Sequence, residues 1–97
     1  MLTKEQILAT LKKSKPFLQK EMGVKRIGLF GSYAHSSQMV NSDVDVFVEF
    51  EENDYKKIIQ VLIFLENQFP VKVDLLYKHD SLRPSFLQTL EAETIYA

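Results

Sequence analysis

Residues 29–45 read LFGSYAHSSQMVNSDVD, and the fold can be worked out from this stretch. A short apolar run ends in Gly31-Ser32, and after ten further residues a second apolar run opens with Asp43 and Asp45. Side chains two positions apart in a strand share a face, so both carboxylates are expected to point the same way. The alternate positions hold valine and phenylalanine, which predicts that the other face packs against a core. The stretch therefore predicts a strand, a turn, a loop and a second strand that displays carboxylates.

A third carboxylate, Asp74, lies in a later apolar run, VKVDLLY at residues 71–77. It joins Asp43 and Asp45 if the two strands are neighbours. Like charges a few ångströms apart raise one another's pKa, and a divalent cation relieves the repulsion. An all-oxygen donor set, with no Cys and two His in the chain, favours a hard ion such as Mg²⁺. The three aspartates are therefore the candidate metal ligands.

The Gly31-Ser32 turn is a candidate phosphate-binding element. Glycine lets a phosphate approach the backbone closely, and a serine at a helix start offers a hydroxyl and backbone N–H groups to an anion. The spacing excludes a P-loop, because the segment from Gly28 to Gly31 is too short and lacks the lysine. Taken singly, a Gly-Ser pair is most often a capped turn and Asp-x-Asp is commonly a solvated face. The combination with Asp74 favours a functional site.

Apolar periodicity predicts helices and strands in alternation along the rest of the chain. A capping box at Thr3 and Gln6 opens a first helix, which Pro16 is expected to kink or divide before Gly23. The other predicted elements are a strand over 25–31, a loop over 36–42, a strand over 43–50, a helix from Asn53-Asp54 to Pro70, a strand over 71–77, a helix over 82–91 and a short strand over 94–96.

These elements predict a single domain over 1–97, an α/β fold with a small mixed β-sheet flanked by helices. The acidic residues Glu49, Glu51 and Glu52 are expected to be solvated. The apolar residues predicted to line the helices' inward faces are Ile7, Leu8, Leu11, Leu18, Tyr55, Ile58, Ile59, Leu62, Leu65, Phe69, Leu82, Phe86, Leu87 and Leu90.

Composition restricts the class of protein. The chain has 97 residues, 45% of them hydrophobic, a net charge of −1 and a sequence pI near 6.1. Lysine and arginine are dispersed along it, which disfavours a free-standing nucleic-acid binder. The absence of cysteine excludes a disulfide framework, and no signal-like or membrane-spanning apolar run is present. A cytoplasmic protein with no membrane partner is expected, and the oligomeric state, including a homo-oligomer, stays open.

The pattern Leu-Phe-Gly-Ser-x10-Asp-x-Asp with a later strand aspartate resembles the minimal nucleotidyltransferases of the DNA polymerase β superfamily. The resemblance extends from the leading helix to Leu82-Arg-Pro and Ile95-Tyr96. It implies that Asp43, Asp45 and Asp74 are catalytic and hold two Mg²⁺ ions. It also implies that Gly31 and Ser32 hold the triphosphate of ATP or another NTP.

The resemblance further implies a partner protein. Many stand-alone members of the family are antitoxins that bind a HEPN-type ribonuclease toxin and, in some cases, transfer AMP to one of its hydroxyl groups. The expected activity is thus Mg²⁺-dependent transfer of a nucleoside monophosphate to a protein hydroxyl. Family members commonly read Gly-Ser-Tyr/Phe-Ala-Arg-Gly, whereas this chain has His35 and Ser36 at the last two positions. Loss of the arginine removes a permanently charged phosphate donor and puts turnover in doubt.

Two alternatives stay open at the level of sequence. One is a module that keeps the fold and silences a toxin by contact alone, which the His35 and Ser36 departures favour. The other is a small-molecule transferase of the aminoglycoside-modifying type, which is disfavoured because that activity usually brings a second domain for the acceptor. Retention of all three aspartates favours an enzyme over a scaffold.

Overall fold

The computed structural model describes residues 2–97, which form one four-stranded sheet with helices on both faces. The elements, in chain order, are α1 (Lys4–Met22), β1 (Val24–Phe30), α2 (Gly31–Ala34), β2 (Val44–Phe50), α3 (Tyr55–Glu66), β3 (Val73–Tyr77), α4 (Pro84–Glu93) and β4 (Ile95–Tyr96). The sheet order is β3-β2-β1-β4, with β1 antiparallel to β2 and β4, and β2 parallel to β3. The predicted mixed sheet flanked by helices is confirmed.

Helix α1 is a single element with Pro16 inside it, so of the two predicted effects of Pro16, a kink or a division, the division does not occur. The capping box is present: the Thr3 hydroxyl accepts from the Gln6 N–H, and the Gln6 side chain accepts from the Thr3 N–H. Pro16 lies on the exposed side, where one missing backbone N–H costs a hydrogen bond without opening the core. The helix ends at Gly23, whose φ of 67° closes it in the left-handed conformation.

The main core lies between one sheet face and the helices α1 and α3. Its most deeply buried members are Ile7, Leu11, Leu18, Ile27, Leu29, Tyr33, Val44, Val46, Val48, Val61 and Leu65. The β2 valines alternate as predicted. Three residues predicted to point inward are exposed instead: Tyr55 (74%), Ile59 (42%) and Phe86 (48%). Tyr55 and Phe86 lie in the first turns of α3 and α4, and Ile59 directly follows the buried Ile58 on α3.

The second face of the sheet carries the polar residues, and we call it the site face. Its residues are aligned across β1, β2 and β3 in three rows: Phe30, Asp45 and Asp74; then Gly28, Phe47 and Leu76; then Arg26, Glu49 and Lys78. Phe47 and Leu90 of α4 are buried here, outside the main core cluster. Helix α4 therefore covers the second and third rows of the site face and leaves the first row accessible.

Gly28 lies where the end of α4 passes over the site face. A Cβ at this position would lie 2.5 Å from Thr94 Cγ2 and 2.7 Å from the Ile95 carbonyl oxygen. Glycine is therefore needed here for close approach of the chain. Within residues 2–97, no helix combines the length and apolar character needed to cross a membrane.

Candidate functional site

Asp45 and Asp74 lie opposite each other at one end of the site face. The parallel register of β2 and β3 pairs Asp45 with Asp74, and the antiparallel register of β1 and β2 pairs Asp45 with Phe30. Residues paired in register on neighbouring strands share a face. The prediction that Asp74 would join Asp45 if their strands were neighbours is therefore confirmed.

The environment of Asp45 favours its protonated form. Burial is the main cause that raises the pKa of Asp45, followed by the negative charges of Asp74 and Asp43 and a hydrogen bond with the Asp74 side chain. The backbone N–H of Ser32 interacts with the Asp45 carboxylate and acts in the opposite direction. A cation bound between the carboxylates would relieve the repulsion that raises this pKa.

Asp43 is placed differently from the other two aspartates. Strand β2 begins at Val44, so Asp43 precedes the strand and is exposed, whereas a strand over 43–50 was predicted. Its charge still acts on Asp45. Among residues 2–97 no group of three or more His, Cys, Asp or Glu side chains is already arranged to hold a metal ion. The donors fit a hard divalent cation in atom type and charge, but the structure brings only Asp45 and Asp74 into direct contact.

The residues that directly follow the Gly31-Ser32 turn are buried and anchor it to the core. Helix α2 begins at Gly31, and its Tyr33 and Ala34 are buried, with Tyr33 only 1% exposed. Ser32 is half-buried, and its carbonyl accepts hydrogen bonds from the Ser37 N–H (2.9 Å) and the Ser37 hydroxyl (3.4 Å). The turn that was predicted to bind phosphate is thus held rigidly beside Asp45.

The loop between this turn and Asp43 contains an unusual backbone conformation. Ser36 has a φ of 56°, the left-handed region that favours glycine. A serine in this conformation carries an energetic cost that glycine does not. His35 is exposed beside it. At the far end of the loop, the Met39 N–H donates to the Ser42 hydroxyl at 2.8 Å and the Ser42 N–H to the Met39 carbonyl at 3.0 Å.

Sequence reasoning missed an ion-pair cluster at the other end of the site face. Arg26 Nη2 lies 2.8 Å from Glu49 Oε1 and 2.7 Å from Glu91 Oε2, and Lys78 lies 3.6 Å from Glu91. The Arg26 guanidinium also lies over the Tyr96 ring, 4.6 Å from its centre. Glu49 was expected to be solvated, but its side chain is 14% exposed. The available signal was that Glu49 shares its face of β2 with the apolar Phe47, two positions earlier.

A surface pocket of about 390 Å³ borders this cluster, lined by residues that include Glu49, Asn53, Lys78 and His79. The four residue steps from Asp45 to Glu49 span about 13 Å along a strand, so the pocket is remote from the paired aspartates. The paired aspartates therefore lie at the end of the site face that is away from this pocket, and Asp74 is exposed there.

Comparison with known families identifies the class of protein. Residues 11–97 match the family model described as "Nucleotidyltransferase domain". Because the match extends over most of the chain, the protein belongs to this family, and it is a transferase enzyme. The resemblance to minimal nucleotidyltransferases is confirmed.

Individual relatives narrow the class. Protein adenylyltransferase MntA of Thermococcus cleftensis is 38% identical over 97 residues, which cover 99% of this chain and 97% of the relative. "Putative protein adenylyltransferase MJ1379" of Methanocaldococcus jannaschii is 37% identical over 99 residues, which cover 99% of both chains. The protein is therefore similar to protein adenylyltransferases over nearly its whole length.

Solved structures agree on the fold. A structure described as a "putative minimal nucleotidyltransferase" superimposes with a TM-score of 0.82 at 25% identity, over 97% of this chain and 95% of that chain. A toxin–antitoxin structure with AMP-PNP superimposes with a TM-score of 0.66 at 24% identity, over 98% of this chain and 72% of that chain. The second similarity is one of fold.

Proposed function

We propose that this enzyme transfers a nucleoside monophosphate, most simply AMP, from an NTP to a hydroxyl group of a partner protein in a Mg²⁺-dependent reaction. The observation that carries the proposal is the pairing of Asp45 with Asp74 beside the Gly31-Ser32 turn. Its similarity to protein adenylyltransferases supports AMP as the transferred group and a protein as the acceptor.

The proposed roles follow from where the side chains lie. Asp45 and Asp74, with Asp43 at the edge of the site, would hold two Mg²⁺ ions. Held there, the ions would supply charge neutralisation at the α-phosphate and would lower the pKa of the acceptor hydroxyl. Gly31 and Ser32 would hold the triphosphate through backbone N–H groups and the serine hydroxyl.

The reaction is an in-line substitution at the α-phosphorus. The acceptor oxygen forms a bond to that phosphorus, the bond to the bridging oxygen breaks, and pyrophosphate leaves with the electron pair. The acceptor proton passes to Asp74, which is the more exposed carboxylate of the pair and can reach an incoming hydroxyl. Positioning and charge neutralisation then account for the rate enhancement.

We further propose that the partner is a HEPN-type toxin and that the enzyme acts as its antitoxin. The structural neighbour with AMP-PNP is a toxin–antitoxin assembly, which supports a partner of this kind for the shared fold. Asp74 is exposed at its end of the site face, which gives a protein acceptor access to the site.

The experiment mixes the purified chain, the protein encoded by the neighbouring gene, Mg²⁺ and α-labelled ATP. Label and a discrete mass increase should appear on the partner with the parent chain and disappear with Asp74→Asn. That variant should still bind Mg²⁺–nucleotide measurably, because the role of Asp74 in proton transfer lies in the transition state. Absence of label with the parent chain would contradict the proposed transfer.

A second candidate, neutralisation by contact alone, is favoured by one observation. His35 is exposed where family members commonly place arginine, so a permanently charged phosphate donor is missing. The same experiment separates the two. A toxin silenced equally by the parent chain and by Asp74→Asn, with no label transferred by either, would establish contact alone.

A further inference from the structure

The side of Gly31 that a side chain would occupy is filled by the carboxylate of Asp45. A Cβ built on Gly31 would lie 2.8 Å from Asp45 Cγ and 3.0 Å from Asp45 Cβ, and would collide with Oδ2. Real Cβ atoms essentially never make contacts under 3.0 Å, and the atoms that would have to move belong to a short side chain. The obstruction is within the protein, so it exists before any nucleotide binds.

The neighbouring backbone contacts the same carboxylate. The Ser32 N–H interacts with the Asp45 side chain, while Asp74 lies on its other side in the β2–β3 register. Asp45 is therefore bounded by the turn on one side and by Asp74 on the other. Its position depends on the turn being close, and the turn can be close only because residue 31 has no side chain.

We infer that Gly31 is a positioning residue for Asp45: the absence of its side chain seats the Asp45 carboxylate beside Asp74, in addition to any contact with phosphate. The inference rests on the proposed function for its catalytic meaning, since Asp45 is a proposed metal ligand. Gly31→Ala should then weaken metal binding by displacing Asp45, even without nucleotide.

The chain offers a matched control in Gly23. Both glycines have positive φ, 75° at Gly31 and 67° at Gly23, so alanine pays a similar backbone cost at each. A Cβ at Gly23 has no atom within 4 Å. The difference between Gly31→Ala and Gly23→Ala thus isolates the collision with Asp45.

The first test is a double-mutant cycle on unfolding in the absence of metal and nucleotide. Gly31→Ala should lower the folding equilibrium constant roughly tenfold more than Gly23→Ala does. In an Asp45→Ala background that excess should disappear, because the added methyl group then has room. An equal excess in both backgrounds would overturn the inference. If Gly31→Ala does not fold, recovery of folding in Gly31→Ala/Asp45→Ala supports it, and failure of that double variant while Asp45→Ala folds overturns it.

The second test measures Mn²⁺ binding to folded protein by electron paramagnetic resonance. Gly31→Ala should bind about tenfold more weakly than the parent chain, and Gly23→Ala should bind as the parent does. Unchanged affinity in Gly31→Ala would overturn the positioning role. If the parent chain itself binds no Mn²⁺, the proposed metal site fails, and the unfolding cycle decides the positioning of Asp45 independently.

Discussion

Asp45 faces Asp74 across the β2–β3 pair, so two carboxyl groups lie side by side on the site face. At the opposite end of the same face Arg26 pairs with Glu49 at 2.8 Å, so one end of the face repels and the other attracts. Burial, together with the charges of Asp74 and Asp43, raises the pKa of Asp45, whereas the neighbouring cations lower the pKa of Glu49. This division predicts opposite effects of neutralising substitutions at the two ends.

Neutralising the aspartates should stabilise the metal-free protein and abolish Mg²⁺–nucleotide binding. A raised pKa means that the folded protein binds the Asp45 proton more tightly, so ionisation costs stability as pH rises above the ordinary value of 3.8. Asp43→Asn/Asp45→Asn should therefore be more stable than the parent at pH 7. The gain should shrink as the pH falls from the raised pKa of Asp45 towards the ordinary value of 3.8. Denaturant unfolding at several pH values and titration calorimetry measure both effects.

The matched control for this prediction is Glu51→Gln/Glu52→Gln, which removes the same charge from two exposed residues remote from the aspartates. It should leave Mg²⁺–nucleotide affinity unchanged. Equal affinity in the aspartate double variant and the parent chain would show that the carboxylates are a solvated face.

Neutralising Glu49 should destabilise the protein. Burial raises the pKa of Glu49, but the hydrogen bonds from Arg26 and the charges of Lys78, Arg26 and Lys25 outweigh it and lower the pKa overall. The stabilisation is therefore complete above the ordinary value of 4.5 and is lost as pH falls through the lowered value. Glu49→Gln should cost about 1 to 2 kcal/mol at pH 7 and little at acidic pH.

Exposed Glu51 provides the comparison for Glu49, since Glu51→Gln should stay within about 0.5 kcal/mol of the parent chain. The two variants are compared by urea unfolding from pH 7 to acidic pH. A pH-independent loss in Glu49→Gln would indicate packing damage instead of a lost ion pair.

Replacing Ser36 with glycine should stabilise the loop. The left-handed conformation at φ 56° costs a serine about 1 to 2 kcal/mol. Glycine removes this cost, but it also increases the conformational entropy of the unfolded chain, which offsets part of the gain in stability. A net gain of about 0.5 to 1 kcal/mol is expected from thermal unfolding. Ser37→Gly should instead lose stability, because it removes the hydroxyl that donates to the Ser32 carbonyl. A loss in both variants would contradict the strain assigned to Ser36.

Removing the Ser32 hydroxyl should weaken nucleotide binding by about 1 to 2 kcal/mol, the size of a charge-assisted hydrogen bond. Stability should change little, because the turn is held by its backbone and by buried Tyr33. Ser85→Ala serves as the control, because Ser85 is an exposed residue of α4. Calorimetry with Mg²⁺ and a non-hydrolysable ATP analogue measures the difference, and an unchanged affinity in Ser32→Ala would remove its hydroxyl from the proposed site.

Periodicity within single segments determined most of the fold. Alternating valines set the buried face of β2, and the Thr3–Gln6 capping box set the start of α1. The aspartate pattern and the Gly-Ser turn were sufficient to name the family. These features depend on residues close in the chain, whose geometry follows from strand and helix repeats.

Contacts between distant segments were decided only by the tertiary structure. The parallel register that sets Asp45 against Asp74, the use of Gly31 as space for a carboxylate, and the pairing of Arg26 with Glu49 and Glu91 each join elements far apart in the chain. Burial of Phe47 follows from how α4 crosses the sheet. Sequence alone lists which side chains share a face of their own strand, but strand order and helix placement decide which of them meet, because those depend on how the whole core packs.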